Sequence, residues 1–212
     1  MNLNEFITEV HQNAVDHGWW ETDRSISESV VLIHSEWSEA VEEARAGRPM
    51  VYRVCTGGLD EIDCDGHPSM ELNEVCTRSV YEKCNYRQQK PEGIAVELMD
   101  GVIRILDLYG KYGISFTRST VQQIVRATKQ ANPLLNKDTP LVEIIAVAHS
   151  LTAKAGDSMV RGFDPRIALS ALEACAGVVM WWVDTHGEDP EKILREKHEY
   201  NLTRPYKHGK KF

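Results

Sequence analysis

KPEGIAVELMDGVIRILDLYG, residues 90–110, is the stretch on which the fold turns. Wound as an α-helix it is apolar around most of its circumference, which predicts a deeply buried helix from about residue 92 to Leu108 or Tyr109. Pro91 suits the first helical position, and Gly110 and Gly113 read as stop signals. One polar stripe interrupts the apolar surface, formed by Glu97, Asp100, Arg104 and Asp107.

The flanking sequence supplies partners for that helix. Leu3, Phe6, Ile7, Val10 and Ala14 recur at helical spacing and predict a helix from about 3 to 17 that ends at Gly18. Ser25 followed by Glu28 is a capping box, and Ile26, Val30, Ile33, Trp37, Val41 and Ala44 then form an apolar stripe that stops at Gly47. Downstream, helices are expected at about 117–131, 139–155, 165–185 and from Pro190 to about Tyr200. No segment alternates like a strand, so the expected fold is an all-α helical bundle.

Residues 49–90 break the pattern with Gly57-Gly58, Gly66, Pro49, Pro68 and four of the five cysteines, and they read as a long irregular insertion. Cys55, Cys64, Cys76 and Cys84, with His67 among them, raise the question of structural zinc, but none forms a CxxC pair and the spacing matches no zinc knuckle. An odd cysteine count without a secretion signal favours reduced thiols.

A weak internal repeat of helical units is visible. Ile33-His34-Ser35 matches Ala148-His149-Ser150, Ile94-Ala95 matches Ile167-Ala168, Tyr112-Gly113 matches His186-Gly187, and residues 124–132 match 193–201. The expected organisation is a tandem-duplicated pseudo-dimer: a helical repeat over 1–132, with the 49–90 insertion inside it, and a degenerate repeat plus tail over 133–212, packed as one unit. In that alignment Glu36, Glu39, Glu97 and Asp100 correspond to Leu151, Lys154, Ala171 and Ala174, while Lys197 corresponds to Thr128. Acids and lysine therefore sit in opposite halves, which suggests one composite site.

Charge narrows the partners. Across 212 residues a formal net charge of −8 argues against a binder of double-stranded nucleic acid, although a bound divalent cation would let an acidic site take a small phosphorylated ligand. No run of about 18 apolar residues is apparent, and the start lacks the basic, then apolar, form of a signal peptide, so no membrane association and a cytoplasmic location are expected. A homo-oligomer is compatible with the sequence but not specified by it.

The chemistry lies in two carboxylate pairs, Glu36 with Glu39 and Glu97 with Asp100. Residues three apart share one side of a helix, so the two pairs can face each other. Burying several carboxylates costs several kcal/mol per charge unless cations compensate, and Arg104 cannot balance them all. An all-oxygen donor set suits Mg2+, with Mn2+ as a substitute.

HSEWSEAVEE (34–43) followed by KPEGIAVELMDGVIRILDL (90–108) resembles the ExxE and ExxD signature of the MazG-type all-α nucleoside triphosphate pyrophosphohydrolases. The segment Lys197, Asn201, Arg204 and Tyr206 resembles the nucleotide-holding helix of the dCTP-pyrophosphatase members of that superfamily. The resemblance implies Mg2+-dependent hydrolysis of a nucleoside triphosphate to the monophosphate and pyrophosphate. It implies Glu36, Glu39, Glu97 and Asp100 as metal residues and Glu36 or Glu39 as general base. His11, Trp19 and Trp20 stand where such members line a base pocket, and Arg104 joins the substrate-binding set.

Two other readings compete. A di-iron carboxylate bundle needs ExxH motifs, and no histidine lies three residues after Glu36 or Glu97. A non-catalytic helical nucleotide-binding or regulatory protein would keep the bundle without turnover.

Overall fold

The computed structural model describes residues 1–22, 24–55 and 89–209. Among these, seven α-helices form an all-α bundle: α1 (Leu3–Asp16), α2 (Ile26–Arg45), α3 (Ile94–Tyr112), α4 (Val121–Ala131), α5 (Leu141–Val160), α6 (Pro165–Thr185) and α7 (Pro190–Leu202). Capping fixes several starts. Asn2, Ser25, Thr120, Asp164 and Asp189 each accept a hydrogen bond from a first-turn amide of the helix that follows. Thr120 explains why α4 begins a turn later than the expected residue 117.

The core is centred on α3 and α6. α3 packs against α1, α2, α6 and α7, while α6 packs against α3, α4 and α5. By length and composition α6 is apolar enough to cross a bilayer, contrary to the expectation that no such stretch exists. Its apolar surface is covered instead by neighbouring helices, with Leu172, Ala176, Val179 and Val183 fully buried.

The expectation of no strands and a wholly irregular 49–90 is corrected at the two ends of that segment. β1 (Tyr52–Cys55) and β2 (Gln89–Glu92) pair antiparallel, with Tyr52 opposite Glu92 and Cys55 opposite Gln89. Their pairing is long-range, so local alternation carries no sign of it. Pro91 consequently lies in β2 opposite Arg53 and not inside the helix. Gly93 precedes α3 with φ 117°, and a β-carbon there would lie 2.6 Å from the Met50 carbonyl oxygen. That close approach lets the Pro49 and Met50 carbonyls accept from the Ile94 and Ala95 amides in place of a side-chain cap.

Gly110, expected to stop α3, lies within it. A β-carbon at Gly110 would sit 2.3 Å from the His11 β-carbon, so this residue permits the close crossing of α1 on α3. Gly113, at φ 61°, ends the helix. Cys64, Cys76, Cys84 and His67 lie outside the described residues, and Cys175 is a buried free thiol in α6.

α2 and α5 meet along a seam of polar contacts. His34 Nδ1 and His149 Nδ1 lie 2.7 Å apart with nearly parallel rings, and Trp37 Nε1 donates to Thr152 Oγ1 at 3.0 Å. Both pairs are separated by 115 residues. Trp37 also covers Gly101 of α3, while Thr152 lies 3.8 Å from Cys175 of α6.

Trp37 is fully buried, so Trp37→Ala would empty the contact between α2, α3 and α5. The expected loss is about 3–5 kcal/mol of unfolding free energy in urea titration, and a loss below about 1 kcal/mol would contradict this packing.

Candidate functional site

Trp37 and the apolar face around it hold α2 along α3, which turns Glu36 toward Glu97 and Asp100. One carboxylate oxygen from each of these three residues lies within 4.8 Å of the others, forming a buried tri-acidic cluster capable of coordinating a divalent cation. Glu36 is 2% exposed and Glu97 is 4% exposed. All donors in the cluster are hard oxygens.

Two cations partly balance the acids. Arg104, one turn beyond Asp100, reaches across to Glu36, with Nε 2.5 Å from Oε1. Lys197 of α7 is almost completely buried, with Nζ 3.3 Å from Asp100 Oδ2 and 3.9 Å from Glu97 Oε1. Burial alone would discharge that ammonium, but Asp100, Glu97 and Glu92 together hold its pKa above the ordinary lysine value.

The three acids differ in charge state. Burial, reinforced by Asp100, pushes Glu36 up to about 7 against the opposing pull of Arg104. Burial also pushes Glu97 up to about 9; Lys197 opposes this, and a hydrogen bond to Glu92 adds to it. Asp100 is held below the usual carboxylate range, because Lys197 and Arg104 outweigh its burial. Glu92, at the end of β2, accepts from Glu97 and pairs with Lys90.

A cavity of about 520 Å³ opens beside the cluster. Glu39, Asp100, Asn201 and Arg204 line it toward the acids, and Asn13, Trp19, Arg24 and Asp107 line it further along α3, with Arg104 between. Asn13 Oδ1 and Asn201 Oδ1 are buried without a hydrogen-bond partner among the described residues. Such acceptors call for a donor from a ligand or water.

The expected site residues divide into groups. Glu36, Glu97 and Asp100 converge, whereas Glu39 is exposed and lines the cavity outside the tri-acidic cluster. Trp19, Arg104, Asn201 and Arg204 line the cavity, while Lys197 lies behind it among the acids. His11 and Trp20 converge on Asp107: His11 Nδ1 lies 2.7 Å from Oδ1, and Trp20 Nε1 donates to the same oxygen at 2.9 Å. Tyr206 packs over Gly18 and donates to Glu21, so it lies at the end of α1 rather than in the cavity wall. The tail is strapped there by the Lys207 amide, which donates to the His17 carbonyl at 3.0 Å.

Sequence reasoning missed Arg24, Glu92 and Asn13. Arg24 lies in the α1–α2 loop, just before the Ser25 cap, and pairs with Glu28 at 3.1 Å, a contact foreshadowed only by its i, i+4 spacing. Glu92 reaches Glu97 through a strand with no local signature. Asn13 belongs to a helix whose polar residues otherwise look solvated.

The raised Glu36 and Glu97 values give a pH test on metal-free protein. A carboxyl whose folded pKa exceeds its unfolded one adds stability that is complete below the unfolded value and lost as pH rises through the folded value. Stability should therefore fall between about pH 7 and 8.5, above the histidine range, and Glu97→Gln should remove most of that fall. Thermal melts with chelator present check this, and a flat wild-type profile would contradict it.

Comparison with protein families, with curated proteins and with solved structures returns no match. The functional reading accordingly stands on the acid cluster and its cavity.

Proposed function

We propose that this protein is a Mg2+-dependent nucleoside triphosphate pyrophosphohydrolase of the MazG type. The observation that carries the reading is the convergence of Glu36, Glu97 and Asp100 at the edge of a cavity that also offers Arg104, Arg204 and an aromatic wall at Trp19. An all-carboxylate donor set fits Mg2+, with Mn2+ as a substitute. Bound Mg2+ supplies charge screening for the triphosphate and polarisation of its phosphoryl oxygens.

The chain's own residues do the rest. Glu36, Glu97 and Asp100 hold the cation, and Lys197 keeps Asp100 ionised. Arg104, Arg204 and Asn201 bind phosphate oxygens, while Trp19 offers a face to the base. Glu39 is the better general base, because Glu36 is occupied by Arg104 while Glu39 faces the cavity. It takes a proton from the attacking water as that oxygen bonds to the α-phosphorus. The bond from the α-phosphorus to its bridging oxygen breaks, and pyrophosphate leaves.

We further infer that the chain is a fused pseudo-dimer with one competent site. The His34–His149 and Trp37–Thr152 pairs join matching repeat positions, as residues on an approximate twofold axis do. α7 packs on α3 as α4 packs on α6, and the Thr128 hydroxyl lies against Gly177 of α6, one turn beyond Ala174, the position that matches Asp100, which Lys197 meets on α3. Ala171, Ala174 and Leu151 leave the second position without acids.

A second reading, a nucleotide-binding protein without turnover, is favoured by one observation: Arg104 and Lys197 already neutralise much of the acid charge. A panel of NTPs and dNTPs assayed with Mg2+ for monophosphate and pyrophosphate separates the two. Turnover is expected on at least one, and Glu97→Gln, Asp100→Asn or Glu39→Gln should each lower it by about 100-fold with the fold retained. Nucleotide binding without pyrophosphate release would favour the second reading, and near-normal turnover in Glu97→Gln would remove the metal assignment.

A further inference from the structure

Arg24 is a buried cation that the chemistry above does not use. Its side chain is 8% exposed, and its guanidinium lies 5.1 Å from the Trp19 ring centre and 5.2 Å from that of Trp20. Glu28 holds it from the outside at 3.1 Å, and Asp107 favours its charge from within. Two aromatic faces and an ion pair restrict the motion of this side chain.

Beside Arg24 lies a second, partly open chamber of about 210 Å³, with Trp20, Lys111 and Tyr112 among its walls. A gap of about 20 Å³ lies between the two spaces and shares Arg104 and Asp107 with the main cavity, and Ser29 and Leu108 with the chamber. Among the described residues, Arg24 alone lines all three. Arg24 is thus the side chain at which the main cavity and the second space meet.

The position of that partition along the cavity gives it a meaning, which rests on the function proposed above. Asp100 marks the end that handles phosphate, and Asp107 lies seven residues further along α3, about 10 Å away at the helical rise per residue. A nucleotide with its phosphates at the acids would bring its base to the end occupied by Trp19, Asp107 and Arg24.

We propose that Arg24 is a specificity-determining residue: it forms the wall at the base end of the cavity and excludes nucleotides whose base carries a bulky substituent. The wall acts through volume. Removing the side chain joins the 210 Å³ chamber to the main cavity and gives such a substituent a place to go. A neutral side chain of similar length preserves the partition, whereas loss of charge alone does not open it.

The test compares the best triphosphate from the substrate panel with its counterpart bearing a benzyl group on the base, at the exocyclic amine or at C5 of uracil. Wild type, Arg24→Ala and Arg24→Met are measured for kcat/KM and, by tryptophan fluorescence, for equilibrium binding of the α,β-methylene analogues. Wild type should disfavour the benzyl compound by roughly 100-fold, Arg24→Ala should reduce that ratio by at least about 10-fold, and Arg24→Met should largely retain it. Equal ratios in wild type and Arg24→Ala would overturn the inference while leaving the hydrolase reading intact. So would a wild type that takes both compounds alike, whereas a wild type that neither binds nor hydrolyses any triphosphate would overturn both.

Discussion

Three carboxylates buried between two apolar helices, held against a single buried ammonium, are the constraint that the rest of the structure answers to. Moving such charges out of water costs several kcal/mol each even after relaxation, far more than a local hydrogen bond returns. Lys197 and Arg104 offset part of that cost, and protonation of Glu97 offsets more. The cluster is therefore held together by apolar packing that would be just as favourable without acids. The outcome is a buried cluster capable of coordinating a divalent cation.

The packing of the two halves serves the same end. α2 and α5 share a seam on which His34 faces His149 and Trp37 faces Thr152, so the second half buries the apolar side of the first. α7 then crosses onto α3 and carries Lys197 to the acids. The composite nature of the site follows from that crossing: α2 and α3 contribute negative charge, and α7 contributes the counter-charge. At the tip of the cavity, Asp107 ties His11 and Trp20 into one hydrogen-bonded wall, against which Arg24 is stacked.

Much of this was legible in the sequence because helices announce themselves locally. The capping box at Ser25 and Glu28, the apolar circumference of residues 94–112 and the ExxE and ExxD spacings all depend on neighbours within one or two turns. What stayed hidden depends on distant parts of the chain. The β1–β2 pair joins residues on either side of a long segment, so neither Pro91 in a strand nor Glu92 beside Glu97 could be inferred from spacing. Gly110 looked like a terminator because its real reason, the approach of His11, comes from α1. The separation of exposed Glu39 from buried Glu36 reflects where α3 happens to cover α2, which a helical wheel leaves undetermined.

The burial of Lys197 also has a consequence for how the chain acquires its structure. Synthesis delivers Glu36, Glu97 and Asp100, with Arg104 as their one counter-charge, well before α7 brings Lys197. Until then the nascent cluster must stay partly hydrated, remain protonated or borrow a cation from solution. The arrival of Lys197 then supplies Asp100 and Glu97 with a buried counter-charge from within the chain.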